Sequence, residues 1–170
     1  MFLSEVFSSL GDWLKGLPPT GQAVMTFFIS MVPVIELRGA IPVAAVAGLP
    51  WYTAFFVSAI GNMAPVPFIV AYTRRVFLWM KDRNRLAGAV YRLEKRALAK
   101  AGKLYRYELI GLCLFVAMPL PGTGAWTGAL IAALLDMRLK NAFPAILAGV
   151  VIAAAVVTGL TYTAAGILSS

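Results

Sequence analysis

Histidine is absent from this chain of 170 residues, and cysteine occurs once, at Cys113. These absences exclude a disulfide framework, zinc sites and Cys–His catalysis. Charge is scarce as well. Asp, Glu, Lys and Arg make up 13% of the residues, against roughly 25% in soluble domains. The few carboxylates are not clustered for acid–base work, so neither an enzyme nor a cofactor or metal site is expected. What fills the chain instead is apolar: 61% of the residues, with a mean hydropathy of +0.83. Most of it cannot face water, which excludes a soluble enzyme.

The net charge of +8 is concentrated in one place. Eleven of the fifteen Lys and Arg residues lie between Arg74 and Arg106. Basic loops are the norm on the cytoplasmic side of membrane proteins, so no nucleic-acid partner is expected. Within this stretch Leu86, Val90, Leu93, Ala97, Ala101 and Leu104 recur at helical spacing, and the basic residues take the other faces. Such a helix suits an anionic phospholipid surface, each Lys or Arg contributing about 1 kcal/mol.

The pattern predicts an all-α integral membrane protein forming a single membrane domain over residues 1–170. Residues 1–19 lack the charged start and solid apolar run of a signal peptide. Phe2, Leu3, Val6, Phe7, Leu10, Trp13, Leu14 and Leu17 instead mark an interfacial helix. A cap packed on the protein's own surface is the alternative. Residues 22–32 and 39–49 give only about 17 Å of helix each, against a hydrocarbon core of about 30 Å. Neither spans alone, so residues 22–49 read as a re-entrant hairpin with Glu36 and Arg38 at its tip. Residues 51–73 are long enough to cross, bent near Asn62, Pro65 and Pro67. Residues 109–135 form a second apolar segment broken at Pro119, Pro121 and Gly122. Residues 142–165 are the second crossing, with Pro144 in its first turn and Gly149 and Gly159 offering close packing.

The two halves share one order of elements: broken hairpin, short turn, full crossing. Repeat 1 covers residues 20–73 and repeat 2 residues 107–170, joined by the basic cytoplasmic loop 74–106. Arg74 and Arg75 put the end of the first crossing in the cytoplasm, and Arg106, Arg138 and Lys140 flank the second hairpin on that side. The flanks of the first hairpin carry no charge. The repeats are therefore inverted, with both termini outside. In that architecture the site lies near the midplane between the repeats. A single kinked crossing for residues 22–49, which would put the N-terminus inside, is the rival.

Glu36 and Arg38 are the ionic pair within the apolar stretches. Ionisable groups at such depth usually face a cavity and mark a transport path. Burial favours the neutral carboxyl and Arg38 the charged one, so proton movement can be coupled to binding of an anion. A salt bridge that merely satisfies the turn is the alternative. At the second tip Pro119, Pro121 and Gly122 free backbone groups that lipid cannot satisfy. A helix starting near Gly124 would aim its N-terminus inward as an anion site, with hydroxyls from Thr123 and Thr127. Close helix packing at Gly124 and Gly128 explains the same glycines without a ligand. Asn62 is a third candidate, with a helix–helix hydrogen bond as its simplest role.

Glu-Leu-Arg-Gly-Ala-Ile-Pro at 36–42 and Pro-Leu-Pro-Gly-Thr-Gly-Ala-Trp-Thr-Gly at 119–128 carry a resemblance. The chain resembles the small multidrug export protein family over nearly its whole length. More distantly it is similar to the DedA (VTT-domain) membrane proteins. The resemblance implies two facing re-entrant hairpins, a proton-dependent role and translocation of lipids such as undecaprenyl phosphate. The DedA pattern carries an Arg shortly after the Pro-Gly of the second hairpin, where this chain has Gly124. Arg38 is the candidate to replace it. The expected function is a membrane transporter or flippase for an amphiphilic anion such as a lipid phosphate, driven by protons. A small multidrug exporter of lipophilic cations and a non-transporting scaffold are the alternatives. A homo-oligomer is compatible with each, and the localisation expected is a bacterial or archaeal plasma membrane.

Overall fold

Prolines and glycines set the ends of the helices, and the computed structural model describes residues 2–82, 105–118, 120, 123–135 and 137–168. The expected basic helix at 86–104 lies outside the described residues, as do Pro119, Pro121 and Gly122. Helix α1 spans Phe2–Lys15 and α2 spans Pro19–Met31. Proline at the first position of α2 lacks an N–H that would have no partner there anyway. The helix stops because Val32 precedes Pro33, whose ring pushes it to extended backbone (φ −70°, ψ 124°).

Helix α3 spans Glu36–Val46. It ends in a Schellman motif: Gly48 takes a left-handed φ of 87°, while Leu49 N–H bonds Ala44 O and Gly48 N–H bonds Ala45 O, both at 3.0 Å. Pro50 then opens α4, Trp51–Met63, and α5 follows at Val66–Asp82. The break at 64–65 follows from Pro65 and Pro67, which withhold the N–H groups that Gly61 and Met63 carbonyls would accept. Together α4 and the start of α5 form an apolar stretch, Trp51–Thr73, long enough to cross a membrane.

The second half runs α6 (Tyr105–Ala117), α7 (Ala125–Leu134) and α8 (Leu139–Leu168). Within α8, Leu139–Gly166 is the second stretch long and apolar enough to cross. The described residues are thus helical and carry no strand. Helix α8 starts earlier than the sequence predicts, so Pro144 lies inside the helix, beyond its first turn. The N–H it lacks would have bonded the carbonyl of Lys140, an exposed residue near the helix start.

The halves pack in a corresponding way. Helix α2 lies on α4 as α6 lies on α8, each first arm against the crossing stretch of its own half. The second arms reach both halves: α3 packs on α4 and on α8, and α7 packs chiefly on α5 and also on α8. Small residues allow the close approaches. A Cβ on Gly61 would strike Ser30 and the Phe27 carbonyl, and one on Gly149 would strike Val116 and the Cys113 carbonyl. Gly159 corrects an expectation, since a Cβ there meets nothing within 4 Å. Helix α1 packs on α3, with Gly11 against Val46 and Leu14 fully buried, while Trp13 stays exposed. The surface-packed cap therefore describes the inner face of α1 better than a purely interfacial helix. Leu37, Ile41, Met63, Val66, Val116 and Ile146 belong to one core, which unites both halves around the tips.

Candidate functional site

The chain turns at residues 32–35, so Glu36 and Arg38 occupy the first turn of α3 rather than the loop. Residues two apart on a regular helix do not face each other. Here they do: Arg38 Nη1 donates to Glu36 Oε2 at 3.1 Å. The backbone explains it. Glu36 has a φ of 49°, and Val34, two residues earlier, has 85°. A left-handed first residue re-aims the Glu36 side chain out of the helical pattern. Such conformations cost about 1–3 kcal/mol each and persist only where surrounding contacts hold them. Val34 is 91% exposed and β-branched, so its strain is not repaid by its own packing.

The contacts that hold the tip come from the other half of the chain. Glu36 is 5% exposed, and its carboxylate accepts the backbone N–H of Trp126 in the first turn of α7. Gly124 caps α7 in extended backbone (φ −86°, ψ −164°). A Cβ on Gly124 would fall on the Glu36 carboxyl group. Glycine is required there by this close approach, not by its dihedral. Glu36 thus serves as the negative cap of a helix N-terminus, whose free N–H groups and dipole favour an anion.

Arg38 does the converse. Its Nη2 donates to the Met118 carbonyl at 2.7 Å and to Thr123 Oγ1 at 3.2 Å, and lies 3.4 Å from the Val116 carbonyl. Those carbonyls end α6, where four acceptors lack helical partners and a cation is favoured. Thr123 in turn donates its hydroxyl proton within the same turn, its oxygen lying 2.7 Å from Met118 O and 2.9 Å from Leu120 O. One tip therefore neutralises both interrupted ends of the opposite hairpin. The Trp126 indole closes the arrangement by donating Nε1–H to the Met31 carbonyl at 3.0 Å.

Of the residues singled out from the sequence, Glu36, Arg38, Thr123 and Gly124 come together here. Thr127 is half-buried in the first turn of α7 and makes no hydrogen bond with the pair. Asn62 is fully buried, yet neither its Nδ2 nor its Oδ1 finds a partner, so the expected helix–helix hydrogen bond is not made. Trp126 went unrecognised in the sequence because an aromatic in an apolar helix looks like packing. Its place two residues after Gly124 in the second motif was the available signal.

The second tip and the Glu36–Arg38 pair fall inside the region shared with known sequences. No curated protein and no solved structure matches the chain. The model of the family described as "Putative small multi-drug export protein" matches residues 36–156, more than half of the sequence, starting at Glu36 itself. This match and the two apolar stretches long enough to cross a bilayer mark a membrane protein. The chain belongs to that small multi-drug export protein family.

Proposed function

We propose that the chain is a proton-coupled membrane transporter for an amphiphilic anion, of which a lipid phosphate such as undecaprenyl phosphate is the model substrate. One observation carries this reading: the Glu36 carboxylate sits between Arg38 and the start of α7. That place suits an anion, and the protein's own side chain fills it. A phosphate headgroup would compete for the same donors. Protonation of Glu36 removes the internal competitor, so one proton taken up corresponds to one anion admitted. Arg38 then offers the planar fork that phosphate accepts from two nitrogens.

The topology that goes with it has α2–α3 and α6–α7 as re-entrant hairpins entering from opposite sides. Helices α4–α5 and α8 cross, and the basic loop lies in the cytoplasm. Support comes from helix lengths and from the packing of α3 on α8 and of α7 on α5. The more distant similarity to the DedA proteins read from the sequence, from which the second tip departs at Gly124, points to lipid cargo. A second reading, export of lipophilic cations, is favoured by the family's description and by Glu36 as a buried carboxylate. Arg38 beside it opposes a cation electrostatically.

The test is translocation in reconstituted vesicles of a lipid phosphate and of a lipophilic cation dye. Glu36→Gln should abolish the response to a pH gradient in a folded protein. Arg38→Lys should weaken transport of the phosphate, because the charge remains but the fork is lost. Movement of the dye alone, undiminished in Arg38→Lys, would replace the anion reading with the cation one.

A further inference from the structure

Among the described residues, the buried side-chain atoms without a hydrogen-bond partner are Arg38 Nε, Ser58 Oγ, both polar atoms of Asn62 and Thr158 Oγ1. Buried polar atoms are almost always paired, so several orphans in one small protein call for a common cause. Their positions supply one. Gly61 packs against Ser30 and Phe27, which puts its neighbour Asn62 at the level of the first tip, where Glu36 and Arg38 begin α3. Ser58 lies one turn back along α4, on the face shared with Phe55 and Asn62. Phe55 and Thr158 in turn line a groove of about 490 Å³ between α4 and α8, together with Trp51, Gly159 and Tyr162. Along α4, Ser58 and Asn62 thus stand about one and two turns beyond Phe55 of the groove, on its side of the helix, toward the level at which α3 begins.

We infer that Thr158, Ser58 and Asn62 form a hydrated polar line that delivers protons from the groove to Glu36. This rests on the proton-coupled reading above. Asn62 presents an unpaired donor and an unpaired acceptor, and Ser58 and Thr158 each present a hydroxyl. Water satisfies both kinds of group at once, which a metal ion does not, and a buried water needs two to four polar partners. Asn62 cannot itself carry a proton at ordinary pH, so it is a positioning residue that orients the relay. A proton from groove water passes between water and hydroxyl oxygens, each hop forming one O–H bond as another breaks. The last hop protonates the Glu36 carboxylate and so frees the Trp126 N–H and Arg38. Gly159 fits this role, since the open space beside it keeps the groove wide.

The ionisable groups facing the line are few. Glu36 and Arg38 stand at its inner end, and Tyr162 stands at the groove, donating to the Leu49 carbonyl at 2.6 Å. Helices α2 and α7 bring none, and the Tyr52 of α4 is exposed. Among the described residues the line therefore has one acceptor for a proton, Glu36.

Silver ions, close to water in size and reactive with thiols, test the hydration directly. In a Cys113→Ser background, Ser58→Cys and Asn62→Cys should react at least ~10-fold faster than Ala59→Cys, because thiol reactivity follows access. Ala59 neighbours Ser58 but faces the apolar core. Equal rates at the three positions would overturn the inference. For function, Asn62→Leu and Ser58→Ala should lose stimulation of lipid-phosphate transport by a pH gradient while retaining gradient-independent exchange. Full stimulation in both variants would equally overturn it. Should wild type move no lipid phosphate at all, the transport reading fails, and the silver rates still decide whether the line is wet.

Discussion

Adding a single carbon at Gly124 tests whether the two tips are joined as described. The new Cβ of Gly124→Ala would occupy the position of the Glu36 carboxyl group, the far end of a flexible side chain. Glu36 must then leave. It gives up the Trp126 N–H and its contact with Arg38, whereas Arg38 keeps its bonds to Met118 and Thr123. Hydrogen bonds to a charged group contribute about 1.5–3 kcal/mol each, and removing one member of a buried pair costs about 3–5 kcal/mol. With Arg38 still partly satisfied, the expected destabilisation is about 3–4 kcal/mol. Only about 1 kcal/mol of it would come from placing alanine at a helix cap. The same substitution in a Glu36→Ala background should therefore cost about 1 kcal/mol, leaving a coupling of about 2–3 kcal/mol. Unfolding of the four proteins in detergent measures this. An equal cost of Gly124→Ala in both backgrounds would show that the carboxylate does not occupy the start of α7, and the candidate site would fall with it.

Other contacts yield sharper single measurements. Trp126→Phe removes the indole bond to Met31 but leaves the backbone N–H on Glu36, so it should destabilise by about 1 kcal/mol without altering the pH response of transport. Gly61→Ala sets a methyl against Ser30 and the Phe27 carbonyl and should lower stability by about 1–3 kcal/mol, whereas Gly159→Ala points into open space and should be tolerated. Similar melting temperatures for the two glycine variants would contradict the packing of α2 on α4. For topology, in a Cys113→Ser background, Ser9→Cys and Pro50→Cys should react with impermeant reagents from one side of the membrane and Lys140→Cys from the other. Labelling of all three from the same side would rule out opposed hairpins.

Much of this arrangement is legible in the sequence because proline and glycine act locally. Pro33 ends α2, Gly48 and Pro50 turn the chain into α4, and Gly124 opens α7, each near where the composition alone places a break. What is not legible is the pairing between tips. Arg38 reaches Met118 and Thr123 across 80 and 85 residues of chain, and no periodicity carries that information. Trp126 acts through its backbone N–H, which every residue but proline possesses, so its identity gives no hint of its contact with Glu36. Asn62 was expected to bond a neighbouring helix because polar residues in apolar helices usually do. Its actual surroundings, two unpaired atoms in a line of other unpaired atoms, emerge only when the halves are packed together.

The two halves match in their helices but divide the chemistry of the site between them. The described part of the second tip carries no ionisable side chain and presents helix ends: acceptors at the close of α6, donors at the start of α7. The first tip supplies two opposite charges, set by a left-handed residue so that each meets its complementary end. A symmetric pair of tips, each charged, would place like charges against one another at the centre. A pair of uncharged tips would leave both buried helix ends without these partners. The division avoids both costs. It also explains why glycine suits position 124. A side chain at 124 and the Glu36 carboxylate exclude each other. Arg38, on the same tip as the acid, supplies one positive group at the site and leaves the start of α7 open to the carboxylate. Any anion that displaces Glu36 then finds Arg38 already in place.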